Sequence, residues 1–107
     1  MDLYKELGNA IQKNIFGEWE KVTVKIESSL KKMCSFQAEY VLSSKETKEL
    51  KFPVLMVSDL MDSVFELQES MFPEHKWNRA VYTLEKNGHF DMEFEWDQAL
   101  QDEWEKS

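Results

Sequence analysis

Four carboxylates at every second position, Asp91, Glu93, Glu95 and Asp97, are the residues of this sequence whose spacing could carry chemistry. Side chains alternate between the two faces of a β-strand, so all four fall on one face. The opposite face then carries apolar side chains: Phe90, Met92, Phe94 and Trp96. Like charges on neighbouring positions repel one another, and a positively charged partner relieves that repulsion. The chemistry predicted here is electrostatic recognition of a basic partner.

Catalytic and metal-binding chemistry finds little support in the sequence. His89, Asp91 and Glu93 share one strand face and could hold a divalent metal, but alternate positions lie about 7 Å apart and no second ligand strand is evident. His75 is expected in a solvated loop. Cys34 is the single cysteine and is expected to be a small buried side chain, not a nucleophile. We therefore predict no enzyme activity, no cofactor and no metal.

The distribution of charge favours a basic protein as the partner. The first 57 residues carry nine lysines and eight acids, and residues 58–107 carry four basic residues and thirteen acids, giving net charges of +1 and −9. A polyanionic surface repels nucleic-acid phosphates, so direct binding of DNA or RNA is not expected. Tyr82, Leu84 and Trp104 add apolar groups near the acids, as in interfaces. The alternative is that the acids form only a solvating face.

The hydrophobic periodicity places the elements of the N-terminal half. Apolar residues at helical spacing predict a helix over residues 2–16, ended near Gly17. Alternation predicts strands over Trp19–Ser28 and 36–42, joined by a turn over residues 29–32. Residues 49–57 also alternate but contain Pro53, so a third strand there is left open.

The C-terminal half is predicted to contain two helices and a hairpin. Ser58 or Asp59 is the expected cap of a helix that Pro73 stops, and Asp97 the expected cap of a short last helix. Asn87-Gly88 suits a two-residue type I′ turn in a hairpin over Trp77–Asp97. Residues whose numbers sum to 175 then face each other. This register predicts Val81 and Thr83 on the core face, and Ala80 and Tyr82 on the acidic outer face.

These elements predict one α+β domain over residues 1–107. The order is α-β-β-(β)-α-β-β-α, with an antiparallel sheet of four or five strands and helices packed on one face, because cleanly alternating strands have one covered and one wet face. No apolar run approaches the roughly 20 residues of a membrane span, and the first residues lack the pattern of a signal peptide. We therefore expect a cytoplasmic protein without a membrane partner.

Three segments carry a resemblance to a known family. They are Glu18-Trp19-Glu20-Lys21-Val22, Lys76-Trp77-Asn78, and the run from Leu84 to Asp97. With the preceding helix, they resemble the YezG-like antitoxin family of bacterial immunity proteins for polymorphic toxins. The chain is also similar in outline to immunity proteins of contact-dependent growth inhibition systems. It is shorter than the family pattern between its second and third strands and after its last helix.

The resemblance implies a protein without catalysis that binds and blocks the C-terminal toxic domain of a cognate effector, expected to be a nuclease. The residues predicted to bind this partner are Asp91, Glu93, Glu95, Asp97, Tyr82 and Trp104. Two alternatives stay open: a small-molecule site in a gap between the second helix and the sheet, and an oligomeric structural domain, including a homodimer, that pairs through a strand near residues 50–54.

Overall fold

The protein folds as a five-stranded antiparallel sheet with helices, in the order β3-β2-β1-β4-β5. The computed structural model describes residues 3–15, 18–28, 34–72 and 74–106, the side chains of residues 104 and 106 excepted. The elements are α1 (Leu3–Asn14), β1 (Trp19–Ser28), β2 (Cys34–Leu42), β3 (Thr47–Leu50), α2 (Val54–Met71), β4 (Arg79–Glu85), β5 (Phe90–Glu95) and α3 (Gln98–Lys106). The predicted α+β class and order of elements are confirmed.

One face of the sheet is covered by α1 and α2. Tyr4 of α1 lies against Phe90 of β5, with ring centroids 5.6 Å apart, and Gln68 of α2 accepts a hydrogen bond from Ser28 of β1. Phe90 and Ser28 lie on the same face, because residues directly opposite in neighbouring strands share a face. The core is built from this face and the helices, with Leu7, Ile11 and Val24 fully buried.

The hairpin of β4 and β5 differs from the prediction by one residue in register. The residue numbers of its pairs sum to 174, as in Val81 with Glu93. Glu85 O accepts a hydrogen bond from Gly88 N–H (2.9 Å), and Glu85 N–H donates to His89 O (2.8 Å). Glu85 and His89 therefore form the last pair of the hairpin, and its loop has three residues, 86–88. Gly88 has φ 92° and Asn87 does not share a positive φ, so the type I′ turn is excluded.

This shift exchanges the two faces of β4. Ala80 and Tyr82 are buried under the helices, whereas Val81 and Thr83 are half-buried on the outer face, so the predicted faces of β4 are wrong. In β5 the predicted faces are right. However, Phe90 is 48% exposed because β5 is an edge strand, and Met92 and Phe94 are only half-buried.

The segment between β2 and α2 also differs from the prediction. The third strand exists but covers Thr47–Leu50, and α2 begins at Val54 directly after Pro53, not near Ser58 or Asp59. Among the described residues no side chain caps this helix, and the first helical bond runs from Val57 N–H to Pro53 O (3.0 Å). Pro53 occupies the N-cap position, and its missing N–H costs no helical hydrogen bond, because the first N–H groups of a helix have no acceptor within the helix.

Three other expectations concern residues that the structure does not describe: Gly17 as a helix end, the turn over residues 29–32, and Pro73 as a helix stop. Among the described residues, no helix has the length and apolar character needed to cross a bilayer.

Candidate functional site

The candidate site is a row of three carboxylates, Asp91, Glu93 and Glu95, which we call the acid ladder. All three side chains are exposed on the outer face of β5, opposite the helices. Their partners on β4 are Thr83, Val81 and Arg79. Within the described part of the chain, none of the three carboxylates forms a salt bridge. The ladder therefore presents uncompensated negative charge to solvent.

Arg79 is the base nearest to the ladder, yet its guanidinium is used elsewhere. It lies opposite Glu95, but Nε is 3.1 Å from the carboxylate of Glu27, and Nη2 is 3.3 Å from Asp97. Because this guanidinium is shared by two other carboxylates, Glu95 has no counterion among the described residues.

Among the described residues, the outer-face lysines of the central strand β1 lie too far from the ladder to neutralise it. Lys25 of β1 is in line with Glu93, but Val81 of β4 stands between them. Two strand spacings separate Lys25 from Glu93, about 10 Å, which is comparable with the Debye length at physiological salt. The outer face therefore has lysines on its central strand and unpaired acids at the β5 edge.

No protein-family model matches the sequence, and the search of curated proteins finds no match. The exposed acid ladder on the edge strand β5 therefore remains the candidate functional site.

Asp97, the fourth predicted acid, is committed to the protein's own structure. Its Oδ1 accepts from Leu100 N–H (3.1 Å), which caps α3 as the sequence predicted. Its backbone N–H donates to Asn78 Oδ1 (2.8 Å), and its other carboxylate oxygen pairs with Arg79. Asp97 is half-buried, and we therefore leave it out of the ladder.

The two predicted aromatic anchors do not join the ladder in the described structure. Tyr82 is 1% exposed on the helix side of β4, where its ring stacks on Phe90 at 5.9 Å, so its predicted place among the outer acids is wrong. The cause is the one-residue register shift of the hairpin. The side chain of Trp104 lies outside the described residues.

The groups considered for catalysis or metal binding are dispersed. His75 and His89 are both exposed, and His89 follows the hairpin loop. Among the described residues, no three His, Cys, Asp or Glu side chains are grouped so that they could hold a metal ion. Burial raises the pKa of the Cys34 thiol from 9.0 to about 12, partly offset by a hydrogen bond with Ser28.

Alkylation of Cys34 is expected to be slow. At pH 8 a thiol with a pKa near 12 is thiolate in only roughly one molecule in ten thousand, and the thiolate is the nucleophile. We expect iodoacetamide to label the folded protein at least about a hundredfold more slowly than the urea-unfolded protein. Because the folded pKa is the higher one, stability should also fall as the pH rises from about 9 toward 12. Equal labelling rates in the two states would show an accessible, reactive thiol.

A cleft of about 630 Å³ opens at the other edge of the sheet. It lies where β3 ends at Leu50 while β2 continues toward Cys34, and Phe52 and Val57 near the start of α2 close one side. Next to it, Val54 and Leu55 are 85% and 84% exposed. In the sequence, this surface corresponds to the alternating residues Leu50, Phe52 and Val54, a pattern compatible with a third strand.

Proposed function

We propose that this protein is an immunity protein that binds the C-terminal toxic domain of a cognate bacterial effector, a nuclease, and covers its basic active-site cleft. The observation that carries the proposal is the acid ladder: three exposed carboxylates on an edge strand, none with a salt bridge among the described residues. Unpaired charge held in a regular row gains most from a partner of opposite charge.

The chemistry of a nuclease supplies that opposite charge. An enzyme that cleaves DNA or RNA needs a basic cleft to hold phosphates. The ladder presents anionic groups about 7 Å apart along one strand, so it can occupy such a cleft and exclude the nucleic acid. The resemblance of residues 84–97 to YezG-like antitoxins supports the same function, since these residues include all of β5. We place the binding event in the cytoplasm of the cell that makes both proteins.

Neutralising the ladder is expected to slow association with the toxin domain. In the triple variant Asp91→Asn, Glu93→Gln, Glu95→Gln, we expect the association rate at low salt to fall about tenfold or more, because exposed charges steer encounter. At 0.5 M salt the two proteins should associate at similar rates, because salt screens the charges. The measurement is stopped-flow or surface-based association kinetics with the purified toxin domain encoded beside this chain, together with a growth test for protection.

A matched control has the same change in net charge elsewhere on the surface. Asp59 and Asp62 of α2 and Glu46 in the turn between β2 and β3, at the opposite edge of the sheet, are exposed, so Asp59→Asn, Asp62→Asn, Glu46→Gln removes three charges away from β5. We expect this control to associate nearly as fast as the wild type. Equal slowing of both triple variants would mean that only net charge matters, and unchanged kinetics in the ladder variant would move the toxin contact to another surface.

The cleft beside β3 favours a second candidate function, binding of a small molecule. Its volume of about 630 Å³ lies in the range of ligand pockets, and its lining combines apolar groups such as Phe36 and Phe52 with lysines such as Lys48 and Lys51. A thermal-shift screen of metabolites tests this function: a compound that stabilises the wild type but not a Phe36→Lys variant would support it.

The homodimer alternative meets an obstacle in β3. Two copies that join their sheets across a two-fold axis keep their helices on the same side, so residues of the same face must be opposite each other. In such a pair the residue at the two-fold axis faces the same residue of the other copy. For this four-residue strand that residue is Lys48 or Glu49, so two like charges repel each other. Sedimentation at several concentrations measures the outcome, and we expect a monomer.

A further inference from the structure

The free edge of β5 has hydrogen-bonding groups whose direction can be assigned. Lys86 N–H donates to Glu20 O on the β1 side, and Glu85 N–H donates to His89 O on the β5 side. Hydrogen-bonded and non-hydrogen-bonded residue pairs alternate along two antiparallel strands. The backbones of Asp91, Glu93 and Glu95 therefore form hydrogen bonds with β4. The alternate residues, Phe90, Met92 and Phe94, then direct their N–H and C=O groups outward.

The edge of β5 lacks several features that usually protect an edge strand. Its pairing with β4 is regular from Phe90 to Glu95, without a bulge, and it contains neither proline nor lysine. On the helix side, Phe90 is half exposed and Met92 and Phe94 are partly exposed. Backbone groups, an apolar row and the acid ladder therefore lie along one edge, with which no other strand of the described residues pairs.

A second copy of the chain does not fit this edge. Two β5 strands joined across a two-fold axis keep the helices on one side of the combined sheet, so outer-face residues face outer-face residues. Every outer-face residue of β5 is an acid, so every register sets acid against acid. A second copy of β5 is therefore excluded as the partner of this edge, whereas a strand with basic residues at every second position fits it.

We propose that β5 binds an extended segment of the partner as a sixth, antiparallel strand, with Lys or Arg side chains facing the acid ladder and apolar side chains beside Phe90, Met92 and Phe94. The main-chain hydrogen bonds provide affinity, and the alternation of basic and apolar side chains provides specificity. This inference rests on the proposed function, because it names the way in which a basic toxin domain is held.

A synthetic peptide tests strand addition without the toxin. The probe is an octapeptide of alternating Lys and Val, blocked at both ends, and the matched control has the same composition as four Lys followed by four Val. We expect the alternating peptide to bind at least about tenfold more tightly, because only it satisfies charge and apolar contacts together. In ¹⁵N-labelled protein, its binding should slow amide exchange at Met92 and Phe94, whose N–H groups point outward. Equal affinity of the two peptides would overturn the proposal.

Backbone methylation separates strand addition from simple charge attraction. Because Phe90, Met92 and Phe94 direct their N–H and C=O groups outward, the peptide residues opposite them form the hydrogen-bonded pairs, and these valines would use their N–H groups. N-methylation of the valines should weaken binding at least about tenfold, whereas N-methylation of the lysines should have little effect. Equal binding of the two methylated peptides would overturn the proposal.

A protein variant carries the same test to the toxin domain. Met92→Pro removes one outward N–H and no bond to β4, and proline is tolerated at such edge positions. Met92→Ala is the matched control, because it loses the same side chain and keeps the N–H. We expect Met92→Pro to dissociate from the toxin about tenfold faster than Met92→Ala, with both folded by circular dichroism.

Equal dissociation rates, with binding still lost in the ladder variant, would overturn strand addition and leave the proposed function standing. A toxin that binds none of the proteins, including the wild type, would overturn the proposed function instead.

Discussion

Replacing Trp77 by alanine is expected to lower the free energy of unfolding by about 3 to 5 kcal/mol, as truncation of large aromatic side chains in cores does. Trp77 precedes β4 and is 1% exposed. Its ring lies 5.0 Å from that of Phe94, at an angle of 53°. Removal of the indole leaves a cavity and also removes the aromatic partner of β5. Urea unfolding followed by circular dichroism measures the change.

Alanine variants of two other aromatic residues serve as comparisons for the destabilisation expected in Trp77→Ala. Trp19→Ala removes a half-buried indole at the start of β1, and Phe94→Ala removes a half-buried ring from the edge strand, so both should cost less than Trp77→Ala. Trp77→Phe should cost least, because the indole Nε1 of Trp77 is buried without a hydrogen-bond partner among the described residues. A Trp77→Ala loss no larger than that of Trp19→Ala would contradict the central position of Trp77 in the core.

The second large effect is expected at Gln68, a polar side chain that is 1% exposed within α2. Its Nε2 donates to the carbonyl of Trp77 (2.9 Å), and its Oε1 accepts from the hydroxyl of Ser28 (2.7 Å). Gln68→Leu removes this donor from the buried carbonyl of Trp77 and leaves the buried hydroxyl of Ser28 with the Cys34 thiol as its remaining side-chain partner. At roughly 1 to 3 kcal/mol for each such group, we expect a loss of about 2 to 4 kcal/mol in the free energy of unfolding.

A double-mutant cycle identifies the cause of this loss. Ser28→Ala removes the hydroxyl, one of the two groups that lose their Gln68 partner. The double variant should therefore lose less free energy of unfolding than the sum of the losses in the two single variants. The measurement is urea unfolding of all four proteins under the same conditions. If the free-energy losses of the two single variants add up exactly in the double variant, the loss in Gln68→Leu comes from the lost packing of the longer glutamine side chain and not from the hydrogen bond with Ser28.

Local sequence patterns could predict the elements whose environment is simple. The alternation in residues 19–28 predicted β1 with both ends correct, because this central strand has one face fully covered by the helices and the other face polar. Asp97 was predicted as a cap because its role depends only on the next few residues. The exposure of Asp91, Glu93 and Glu95 was also predictable, since the alternation within β5 fixes their face whatever strand pairs with it.

The errors arose where two local solutions compete and distant contacts decide. Asn87-Gly88 suits a two-residue turn, but the chain adopts a three-residue loop with Gly88 alone at positive φ, and this choice places Tyr82 under α1 and α2. Pro53 breaks a strand and equally starts a helix, and the alternating apolar residues after Leu50 masked the second possibility. The burial of Gln68 depends on Ser28, forty positions earlier in the chain, which no local pattern shows.

The regular edge of β5 also bears on how much of this protein a cell can accumulate. Bare edges commonly limit abundance, because at high concentration they join into fibres. Here each copy repels the edge of the next, since Asp91, Glu93 and Glu95 would meet their own counterparts. The function proposed above requires this protein to be present in excess over its target, and an edge that repels its own copies is compatible with such an excess.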